Sequence, residues 1–373
     1  MKLDLLVASL KGGGAERVAV NLADAWVRTG HTVRLIVTDP DPGSDYMPDP
    51  AVELLWLSSG KSAASSPPLR LLQRLGRIRR ALTDGSRADV VIAIQANLAI
   101  ETALAVLGND LRVIGCEHNT PARAVRGRLW QALRPLAYRR LAAVVALTEG
   151  AAAQLRGICG ATPLRVIPNA LQLPLAEAAP RLDPDDLLPP DAPLLLAVGR
   201  LVPAKGFDNL LSRFNRILAL SPKTRLVILG DGPLRPELAA QIEALGLKGK
   251  ALMPGRAGNM ADWYRRAQLF VMTSRWEGMP MVLLEAMGHG LVPVVTDFEH
   301  GPRDVIRPGI DGEIMAPLDE AFWVSQIANL LADSSRRSAM GQRATEVAKR
   351  FGEDEVMRAW GTLLAEVTAE HSS

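Results

Sequence analysis

The sequence has no long apolar run and very few cysteines. No hydrophobic stretch approaches the roughly 20 residues that a membrane-spanning helix needs, so no transmembrane segment is predicted. Cys116 and Cys159 are the two cysteines among 373 residues, and neither has a partner at metal-ligand spacing. The sequence therefore predicts no disulfide framework, and both thiols are expected to be small buried groups in a reducing compartment.

Aromatic residues are also sparse, at 4% of the chain. The isoelectric point is about 9.0, but the basic stretches lack the interleaved aromatic side chains on which bases stack, so no nucleic-acid partner is predicted. The basic residues are unevenly distributed. Residues 1–170 hold 21 Lys/Arg against 14 Asp/Glu, whereas residues 171–373 hold 22 against 26. The basic front half is expected to meet a membrane surface or a phosphorylated substrate.

Short runs rich in Val, Ile and Leu alternate with helical patterns twice along the chain. The length exceeds what one hydrophobic core usually supports, so two domains are expected. Such runs, separated by helices, are typical of parallel strands buried on both faces. The sequence predicts an α/β fold with two doubly wound, Rossmann-like domains. The nine predicted strands are LDLLVAS, HTVRLIVT, ADVVIAI, LRVIGC, AAVVALT, PLLLAVG, TRLVILG, AQLFVMT and LVPVVT.

The domain boundaries follow from proline content and from the last helical pattern. Residues 1–170 and 193–352 are predicted to be the two domains. The segment 171–192 between them is rich in proline, which argues against regular structure and predicts a linker. Residues 353–373 are predicted to form a helix that packs back on the first domain. The N-terminus is interpreted as a strand of a cytoplasmic protein, because Asp4 interrupts its apolar run and no cleavage site follows.

Ligands of such sheets bind beyond the carboxyl ends of the strands, so the turns after the strands are the candidate sites. In KGGGAERV, Gly12, Gly13 and Gly14 allow the backbone to approach a ligand at the start of a helix, although an ordinary tight turn would have the same pattern. A dinucleotide fingerprint would need glycine at Arg17. A nicotinamide-dependent enzyme is therefore disfavoured, even with Asp39 ending the next strand.

Three further turns carry charged or titratable side chains. His118 follows the strand LRVIGC, where its ring can donate to or accept from a ligand; an interior histidine is the alternative. Arg200 and Lys205 follow PLLLAVG and together form a natural diphosphate clamp, unless they are simply solvated surface cations. The turn in ILGDGPLR precedes a helix that is predicted to start near Leu234.

The stretch RWEGMPMVLLEAMGHG carries two acids, Glu277 and Glu285. Pro280 is favoured at the first helical position, which places Met279 at the cap and leaves a helix start suited to an anion. Glu277 then lies in the preceding loop and Glu285 one to two turns inside the helix, so the acids are expected to face different parts of one cleft. Ionised carboxylates can accept hydrogen bonds from sugar hydroxyls. Two solvated acids on an ordinary βα unit are the alternative.

Taken in order, GGGAERV, GRLVPAKGF, GDGPLR and the two glutamates separated by seven residues resemble a retaining glycosyltransferase of family 4, which has the GT-B fold. The resemblance covers nearly the whole chain. Together with EHN and FEHGPRDVI, these motifs look most like enzymes that extend polysaccharides or lipid-linked oligosaccharides from UDP-hexoses or UDP-N-acetylhexosamines. A UDP-sugar is then a co-substrate, and no cofactor is implied. Ala204 departs from the family pattern, which commonly has an acid there.

The resemblance also implies roles for individual residues. Arg200 and Lys205 would hold the donor diphosphate, Glu285 the ribose and Glu277 the donor sugar, with His118 near the reaction centre. His118, Glu277, Arg200 and Lys205 are accordingly the predicted catalytic residues. The loop 253–259 would help to hold the base. The donor-binding set implied is Gly13, Gly14, Arg200, Lys205, Gly255, Arg256, Glu277, Gly278, Met279, Pro280, Met281 and Glu285.

A retaining transfer needs an enzymic nucleophile or attack from the face that UDP leaves, and the resemblance implies the second path. The cations and the helix start would stabilise the charge that develops on UDP, which removes the need for a metal. Two Asp-x-Asp pairs, Asp39 with Asp41 and Asp183 with Asp185, are the alternative, but each spans a proline in a loop-like stretch. No metal site is predicted.

The acceptor is predicted to be a saccharide carried on a lipid, because PPLRLLQRLGRIRRAL has the pattern of a helix at a membrane interface. Its apolar residues share one face. Trp130 and Tyr138 in a second basic stretch are residue types favoured at interfaces. Two amphipathic helices packed on the sheet are the alternative. The predicted peripheral contact, on the inner face of the membrane, involves Arg70, Arg74, Arg77, Arg80 and Trp130.

Two other classes of protein fit part of the pattern. A GT-B epimerase or phosphorylase would use the same sheets but release a free sugar or a sugar phosphate, so release of UDP with and without acceptor separates it from a transferase. A nucleic-acid binder is suggested by the isoelectric point alone.

Overall fold

A computed structural model describes residues 1–39, 44–57, 67–85, 87–125, 127–299, 301–317 and 319–369. The chain divides into two compact units. The first unit consists of Met1–Asn169 with Val356–Ser373, and the second consists of Ala170–Glu355. Among the described helices, none has the length and apolar character to cross a membrane.

The first unit contains a seven-stranded parallel sheet: β1 (Lys2–Val7), β2 (Thr32–Val37), β3 (Glu53–Trp56), β4 (Val90–Ile94), β5 (Val113–Glu117), β6 (Ala143–Ala146) and β7 (Leu164–Val166). The strand order is β3-β2-β1-β4-β5-β6-β7. The inner strands are buried along their length, as their unbroken Val, Ile and Leu runs require. The helices are α1 (Gly14–Arg28), α2 (Pro67–Thr83), α3 (Ala96–Ala105), α4 (Pro121–Ala124), α5 (Arg128–Tyr138), α6 (Glu149–Cys159) and the C-terminal helix, α16 (Glu353–Ala369).

The second unit contains a six-stranded parallel sheet: β8 (Leu194–Val198), β9 (Arg225–Leu229), β10 (Ala251–Gly255), β11 (Leu269–Met272), β12 (Val292–Thr296) and β13 (Glu313–Met315). The order is β10-β9-β8-β11-β12-β13. Nine helices are described here: α7 (Pro184–Leu187), α8 (Phe207–Leu220), α9 (Arg235–Ala244), α10 (Met260–Arg266), α11 (Met281–Gly288), α12 (Pro302–Val305), α13 (Glu320–Ala332), α14 (Ser334–Ala344) and α15 (Val347–Arg350).

Each sheet has one point at which the strand order reverses. In the first sheet this point lies between β1 and β4, and in the second between β8 and β11. The loops that leave two neighbouring strands diverge there, which opens a crevice at the carboxyl edge of the sheet. The loops that follow these four strands are therefore the candidate binding sites.

All nine predicted strands are present. The sequence reasoning missed β3, β7, β10 and β13, which are the two edge strands of each sheet. An edge strand is covered on fewer sides, so β3 and β7 have partly exposed residues instead of a continuous apolar run.

The proline-rich segment 171–192 lies within the second unit and contains the short helix α7, although its proline density argued against regular structure. Backbone hydrogen bonds attach the segment to the loop after β10. Gly258 N–H donates to Pro180 O at 2.7 Å, and Ala178 N–H donates to Gly258 O at 3.1 Å. A Cβ at Gly258 would lie 1.7 Å from Ala178 O, so this close approach requires glycine.

The C-terminal helix belongs to the first unit through an apolar contact with α1. Trp360 on α16 meets Trp26 on α1 edge to face, with ring centroids 5.4 Å apart. Both side chains are buried, with 3% and 0% exposed.

We expect Trp360→Ala to lower the free energy of unfolding of the first unit by about 3–5 kcal/mol, because it leaves a cavity against Trp26. Urea unfolding followed by circular dichroism measures the change. Thr362→Ala is the matched control, since Thr362 is exposed on the same helix and its hydroxyl donates to Arg358 O one turn earlier. An unchanged transition for Trp360→Ala would contradict the packing described.

Candidate active site

Lys205 and Glu277 meet where the neighbouring strands β8 and β11 end. Lys205 closes a 3-10 turn, Pro203–Lys205, that follows β8, and Glu277 lies in the loop after β11. The Nζ atom of Lys205 lies 2.5 Å from Oε1 of Glu277, and the two side chains are only 17% and 14% exposed. The structure thus brings two of the predicted site residues into one ion pair at the reversal point of the second sheet.

Hydrogen bonds to backbone oxygens fix the two loops that carry this ion pair. Arg275 N–H donates to Ala204 O at 2.7 Å, and Thr273 Oγ1 donates to Gly206 O at 2.8 Å. Gly206 has a positive φ of 62°, and a Cβ there would lie 2.1 Å from Thr273 O. The glycine in the AKGF motif is therefore needed for the approach of the loop that follows β11.

A hydroxyl also holds the Glu277 carboxylate. Ser274 Oγ donates to Glu277 Oε1 at 2.8 Å, and Ser274 is itself buried. Its backbone oxygen accepts from Thr296 Oγ1 at 3.0 Å, which ties the loop to the end of β12. Sequence reasoning missed Ser274 and Thr296, because no spacing pattern indicates which hydroxyl reaches a carboxylate.

Arg200 lies two residues beyond the end of β8 and is exposed. Within the part of the chain that the structure describes, its guanidinium makes no ion pair. Gly199 beside it leaves room for the Lys205 stem, since a Cβ at Gly199 would lie 3.0 Å from Lys205 Cε. Arg200 and Lys205 therefore both follow the carboxyl end of β8. Arg200 is exposed, whereas Lys205 is paired with an acid.

The helix α11 begins one residue later than the sequence predicted. Pro280 is the cap and has extended backbone angles, and Met281 is the first helical residue. The prediction that Met279 is the cap was wrong, because Pro280 has an extended backbone with a ψ of 116°. The fixed φ of proline is compatible with this conformation as well as with a helix. Pro280 offers no side-chain oxygen to the first N–H groups of the helix, so the inference of an uncapped helix start remains.

The loop before α11 is closely packed. Met279 and Met281 are buried at 5% and 6% exposure. A Cβ at Gly301 would lie 2.9 Å from Gly278 O, and Gly301 has a φ of 119°. The Gly-Met-Pro turn is therefore held by its neighbours rather than extended into solvent.

Glu285 lies in the interior of the second unit, with 1% of the residue exposed. Its Oε2 accepts a hydrogen bond of 2.9 Å from the hydroxyl of Tyr264 on α10. The two acids therefore lie in different surroundings, because Glu277 pairs with a cation and Glu285 with a buried hydroxyl. Tyr264 carries no sequence signal that could have indicated this contact.

The predicted base-holding loop 253–259 is in part a strand, since β10 extends to Gly255. Gly255 has a φ of 112°, and its carbonyl accepts from Gly230 N–H at 2.7 Å. A Cβ at Gly230 would in turn lie 2.0 Å from Gly199 O. Glycines thus let the chain segments that leave β8, β9 and β10 touch backbone to backbone, and Arg256 is exposed next to them.

In the first unit, the glycine-rich turn faces an acid of its own helix. Gly13 is the cap of α1, and a Cβ there would lie 1.7 Å from Oε2 of Glu16. A Cβ at Gly14 would meet nothing within 4 Å. The Glu16 carboxylate therefore lies at the start of the helix, where its charge is favourable, and an anionic ligand would have to displace it.

Gln95 at the end of β4 contacts the same acid. Its Nε2 donates to Glu16 Oε1 at 3.4 Å. Gln95 has a φ of 87°, the only positive φ of a non-glycine residue among those described. Such a conformation is strained and persists only where its surroundings enforce it. Gln95 lies at the reversal point of the first sheet and was missed by sequence reasoning.

His118 follows β5 and is half-buried. Burial lowers the pKa of His118 to about 4. The preceding Glu117 is buried and pairs with Arg134 and the hydroxyl of Tyr138. Burial raises the pKa of Glu117, while Arg134 opposes that shift. The strand end is therefore anchored by a buried ionic network, and a neutral imidazole comes directly after it.

The helices predicted to contact a membrane have mixed exposure. Arg74 turns inward, where it bonds to Glu101 at 2.7 Å and to Asp39 at 2.5 Å. Trp130 packs partly against the hydrophobic core, and Tyr138 is fully buried. Tyr138 therefore cannot be a surface contact, because an amphipathic pattern alone does not tell which side chains reach the core. The predicted membrane contacts of Arg74 and Trp130, which are both partly buried, stay predictions. Arg70 and Arg80 are exposed, and Arg77 is half-exposed.

The candidate metal residues have other roles. Asp39 bonds to Arg74, and Asp41 lies outside the described residues. Asp183 caps α7 by accepting from Asp185 N–H at 3.0 Å, and Asp185 pairs with Arg266 at 3.3 Å. Over the described ranges, the His, Cys, Asp and Glu side chains form no group of three or more that could hold a metal ion.

The lowered pKa of His118 gives a prediction about pH. The unfolded state binds a proton below about pH 6.5 and the folded state only below about 4, so stability should fall as the pH drops between these values. The His118 ring resonance in an NMR titration, assigned by its loss in His118→Gln, should have a midpoint near 4. His118→Gln should also weaken the pH dependence of unfolding in this window. A midpoint at 6.5 or above would contradict the described burial.

Comparison with known proteins extends over both units. The chain is 27% identical over 371 residues to the amylovoran biosynthesis glycosyltransferase AmsD of Erwinia amylovora, covering 97% of this chain and 99% of that protein. It is 25% identical to the GalNAc-alpha-(1->4)-GalNAc-alpha-(1->3)-diNAcBac-PP-undecaprenol alpha-1,4-N-acetyl-D-galactosaminyltransferase of Campylobacter jejuni, covering 98% of this chain and 99% of that protein. An exopolysaccharide phosphotransferase of Streptomyces coelicolor is 30% identical over 75% of this chain, which spans only 29% of that protein.

Solved structures share the fold at lower identity. A sucrose-phosphate synthase of Thermosynechococcus elongatus superposes with a TM-score of 0.84 at 19% identity, covering 99% of each chain. HepE of Anabaena, solved in complex with UDP-glucose, superposes with a TM-score of 0.77 at 18% identity, covering 98% of this chain and 100% of that one. The predicted α/β class, with two doubly wound parallel sheets of the GT-B type, is confirmed.

Two family matches divide the chain nearly as its two sheets do. Residues 12–173 match Glycosyltransferase Family 4, and residues 180–347 match the glycosyl transferases group 1. The sequence resemblance to family 4 is thereby confirmed. The chain belongs to the glycosyltransferases, with a family 4 domain followed by a group 1 domain.

Proposed function

We propose that the protein transfers a hexose or an N-acetylhexosamine from a UDP-sugar to a saccharide acceptor, with retention of configuration and without a metal ion. The transfer would serve the assembly of a polysaccharide or glycan. The observation that carries the proposal is the Lys205–Glu277 ion pair beside Arg200, at the carboxyl edge of β8 and β11. The names of AmsD and of HepE with its bound UDP-glucose support this choice of chemistry.

Donor binding would draw on three sources of positive charge. Lys205 gives a compact ammonium group, Arg200 a guanidinium fork, and the uncapped start of α11 contributes backbone N–H groups. All three lie in the second unit, and the first two leave the same strand end. Such an arrangement can neutralise the charge that develops on the leaving diphosphate, which is the task that a metal ion performs in other transferases.

The surroundings of the two acids support a transfer without a covalent intermediate. Glu277 already accepts from Lys205 and Ser274, which lowers its power as a nucleophile but suits a hydrogen-bond acceptor for sugar hydroxyls. Glu285 is buried with Tyr264. We therefore propose attack on the face from which UDP leaves, with a diphosphate oxygen taking the acceptor proton. His118, neutral at physiological pH, would contact the donor sugar by a hydrogen bond rather than by charge.

Lys205→Ala should weaken the binding of UDP by about tenfold or more, since a charge-assisted hydrogen bond contributes roughly 1.5–3 kcal/mol. Isothermal titration calorimetry with UDP measures the change. Lys223→Ala removes an exposed lysine of the same unit and should leave the affinity unchanged. Equal affinities for wild type and Lys205→Ala would contradict the proposed diphosphate contact.

We further propose that the acceptor is lipid-linked and that the first unit meets the membrane through the exposed faces of α2 and α5. Residues 54–83 and 118–148 contain no Asp or Glu, and each stretch carries several arginines. Large apolar side chains are exposed on both helices: Leu69, Leu72, Leu129 and Leu136 at 52–63%. Apolar groups beside cations suit an anionic bilayer surface. The Campylobacter relative, whose name includes a PP-undecaprenol-linked acceptor, supports this class of acceptor.

Co-sedimentation with vesicles tests this surface. The protein should sediment with phosphatidylglycerol vesicles but not with phosphatidylcholine vesicles, and Arg77→Glu with Arg80→Glu should abolish most of the binding. Lys248→Glu with Lys250→Glu makes the same charge change at exposed positions of the second unit and should leave binding intact. If the two double variants bind anionic vesicles equally, or if wild type does not sediment with anionic vesicles, the membrane proposal is wrong.

A further inference from the structure

The side chain of Arg275, in the loop after β11, binds the turn that carries Lys205 on both sides of the lysine. Its guanidinium forms a fork on the Asp208 carboxylate, with Nη1 donating to Oδ1 at 3.0 Å and Nη2 donating to Oδ2 at 2.6 Å. Nη1 also donates to Pro203 O at 2.6 Å. Because Pro203 precedes Lys205 and Asp208 follows it, one guanidinium holds the chain before and after the lysine.

The backbone of Arg275 binds the same turn. Its N–H donates to Ala204 O at 2.7 Å, and Ala204 directly precedes Lys205. Glu277, which pairs with Lys205, lies two residues beyond Arg275. Main chain and side chain of a single residue therefore connect the lysine turn to the loop that carries the acid.

Asp208 is a well-fixed anchor for this fork. It lies in the first turn of α8, and its backbone oxygen accepts from Gln241 Nε2 on α9 at 2.9 Å. Burial raises the pKa of the Asp208 carboxyl, but the hydrogen bonds and charge of Arg275 outweigh burial and hold the pKa below its usual value. The carboxylate therefore stays ionised at neutral pH, and the fork keeps its partner.

The Arg275–Asp208 pair is better suited to fix geometry than to stabilise the fold. The two side chains are 36% and 45% exposed, and an exposed ion pair contributes little to the free energy of unfolding. A two-point guanidinium fork nevertheless defines an orientation. Lys205 has the opposite character, since an ammonium is a point charge on a flexible stem and its position depends on the backbone that carries it.

We propose that Arg275 is a positioning residue, which fixes the Lys205 ammonium at the end of β8 by holding the chain on both sides of the lysine. Arg275 would not touch the nucleotide itself. The consequence for donor binding rests on the proposed function, in which Lys205 binds the diphosphate. Loss of the fork should then weaken UDP binding through Lys205 alone.

A double-mutant cycle with Lys205 tests this dependence by calorimetry with UDP. Arg275→Met should weaken binding by about fivefold in the wild-type background but by less than about twofold in the Lys205→Ala background, since coupled residues are not additive. Thermal unfolding without ligand shows whether each variant is folded.

Asp208→Asn separates positioning from plain attraction of the anion. It breaks the same fork but removes a negative charge from the neighbourhood of Lys205. Positioning predicts that Asp208→Asn also weakens UDP, by about threefold or more. Attraction of UDP by nearby charge predicts the opposite sign, because the site becomes more positive.

Acetylation of lysines, followed by mass spectrometry of the peptides, tests the positioning without a nucleotide. In Arg275→Met, Lys205 should react about threefold faster or more, because a turn without its anchors opens more often. Lys223 is exposed in the same unit and should react at an unchanged rate.

Arg336→Met is the matched control, because Arg336 is also exposed and joins α14 to β13 by bonding to Glu313 at 2.7 Å. It should change neither UDP affinity nor labelling of Lys205. Unchanged UDP affinity of Arg275→Met, an equal loss in both backgrounds, or tighter binding by Asp208→Asn would each overturn the inference. Equal labelling of Lys205 in wild type and Arg275→Met would overturn it too, whether or not UDP binds. Failure of wild type to bind UDP, with faster labelling in Arg275→Met, would refute the proposed function and leave the positioning role supported.

Discussion

The ion pair between Lys205 and Glu277 joins two loops that are far apart in sequence and adjacent at the reversal point of the second sheet. Neither charge would be tolerated alone at this depth, because a poorly solvated ion without a partner is costly. The two loops are also joined by hydrogen bonds from Arg275 N–H to Ala204 O and from Thr273 Oγ1 to Gly206 O. The ion pair therefore forms only because the strand order places β8 next to β11, and the candidate site is built around this pair.

The same pair suggests how a ligand would be received. In the proposed function, the donor diphosphate competes with Glu277 for Lys205, and Arg200 adds a second cation from the same strand end. As Lys205 turns to the diphosphate, Glu277 becomes available for a sugar hydroxyl while Ser274 still holds it. One exchange of partners would thus couple binding of the leaving group to recognition of the sugar. Glu285, held by Tyr264, would act separately from this exchange.

Hydrophobic pattern predicted the inner strands of both sheets well, because buried parallel strands must be apolar on both faces. It failed at the edge strands β3, β7, β10 and β13. Charge and glycine spacing placed Lys205, Arg200 and Glu277 at strand ends, where the structure has them. Contacts that depend on tertiary packing had no such signal: the hydroxyl of Tyr264 on Glu285, the Glu16 carboxylate over Gly13, and the inward turn of Arg74.

A crystal structure of the protein with UDP bound is the most direct test of the proposed anion site in the second unit. A diphosphate oxygen should lie within hydrogen-bond distance of Lys205 Nζ, with a second contact from Arg200 or the start of α11, and the distance between Lys205 and Glu277 should be longer. A nucleotide bound elsewhere, with the Lys205–Glu277 contact still at 2.5 Å, would contradict it.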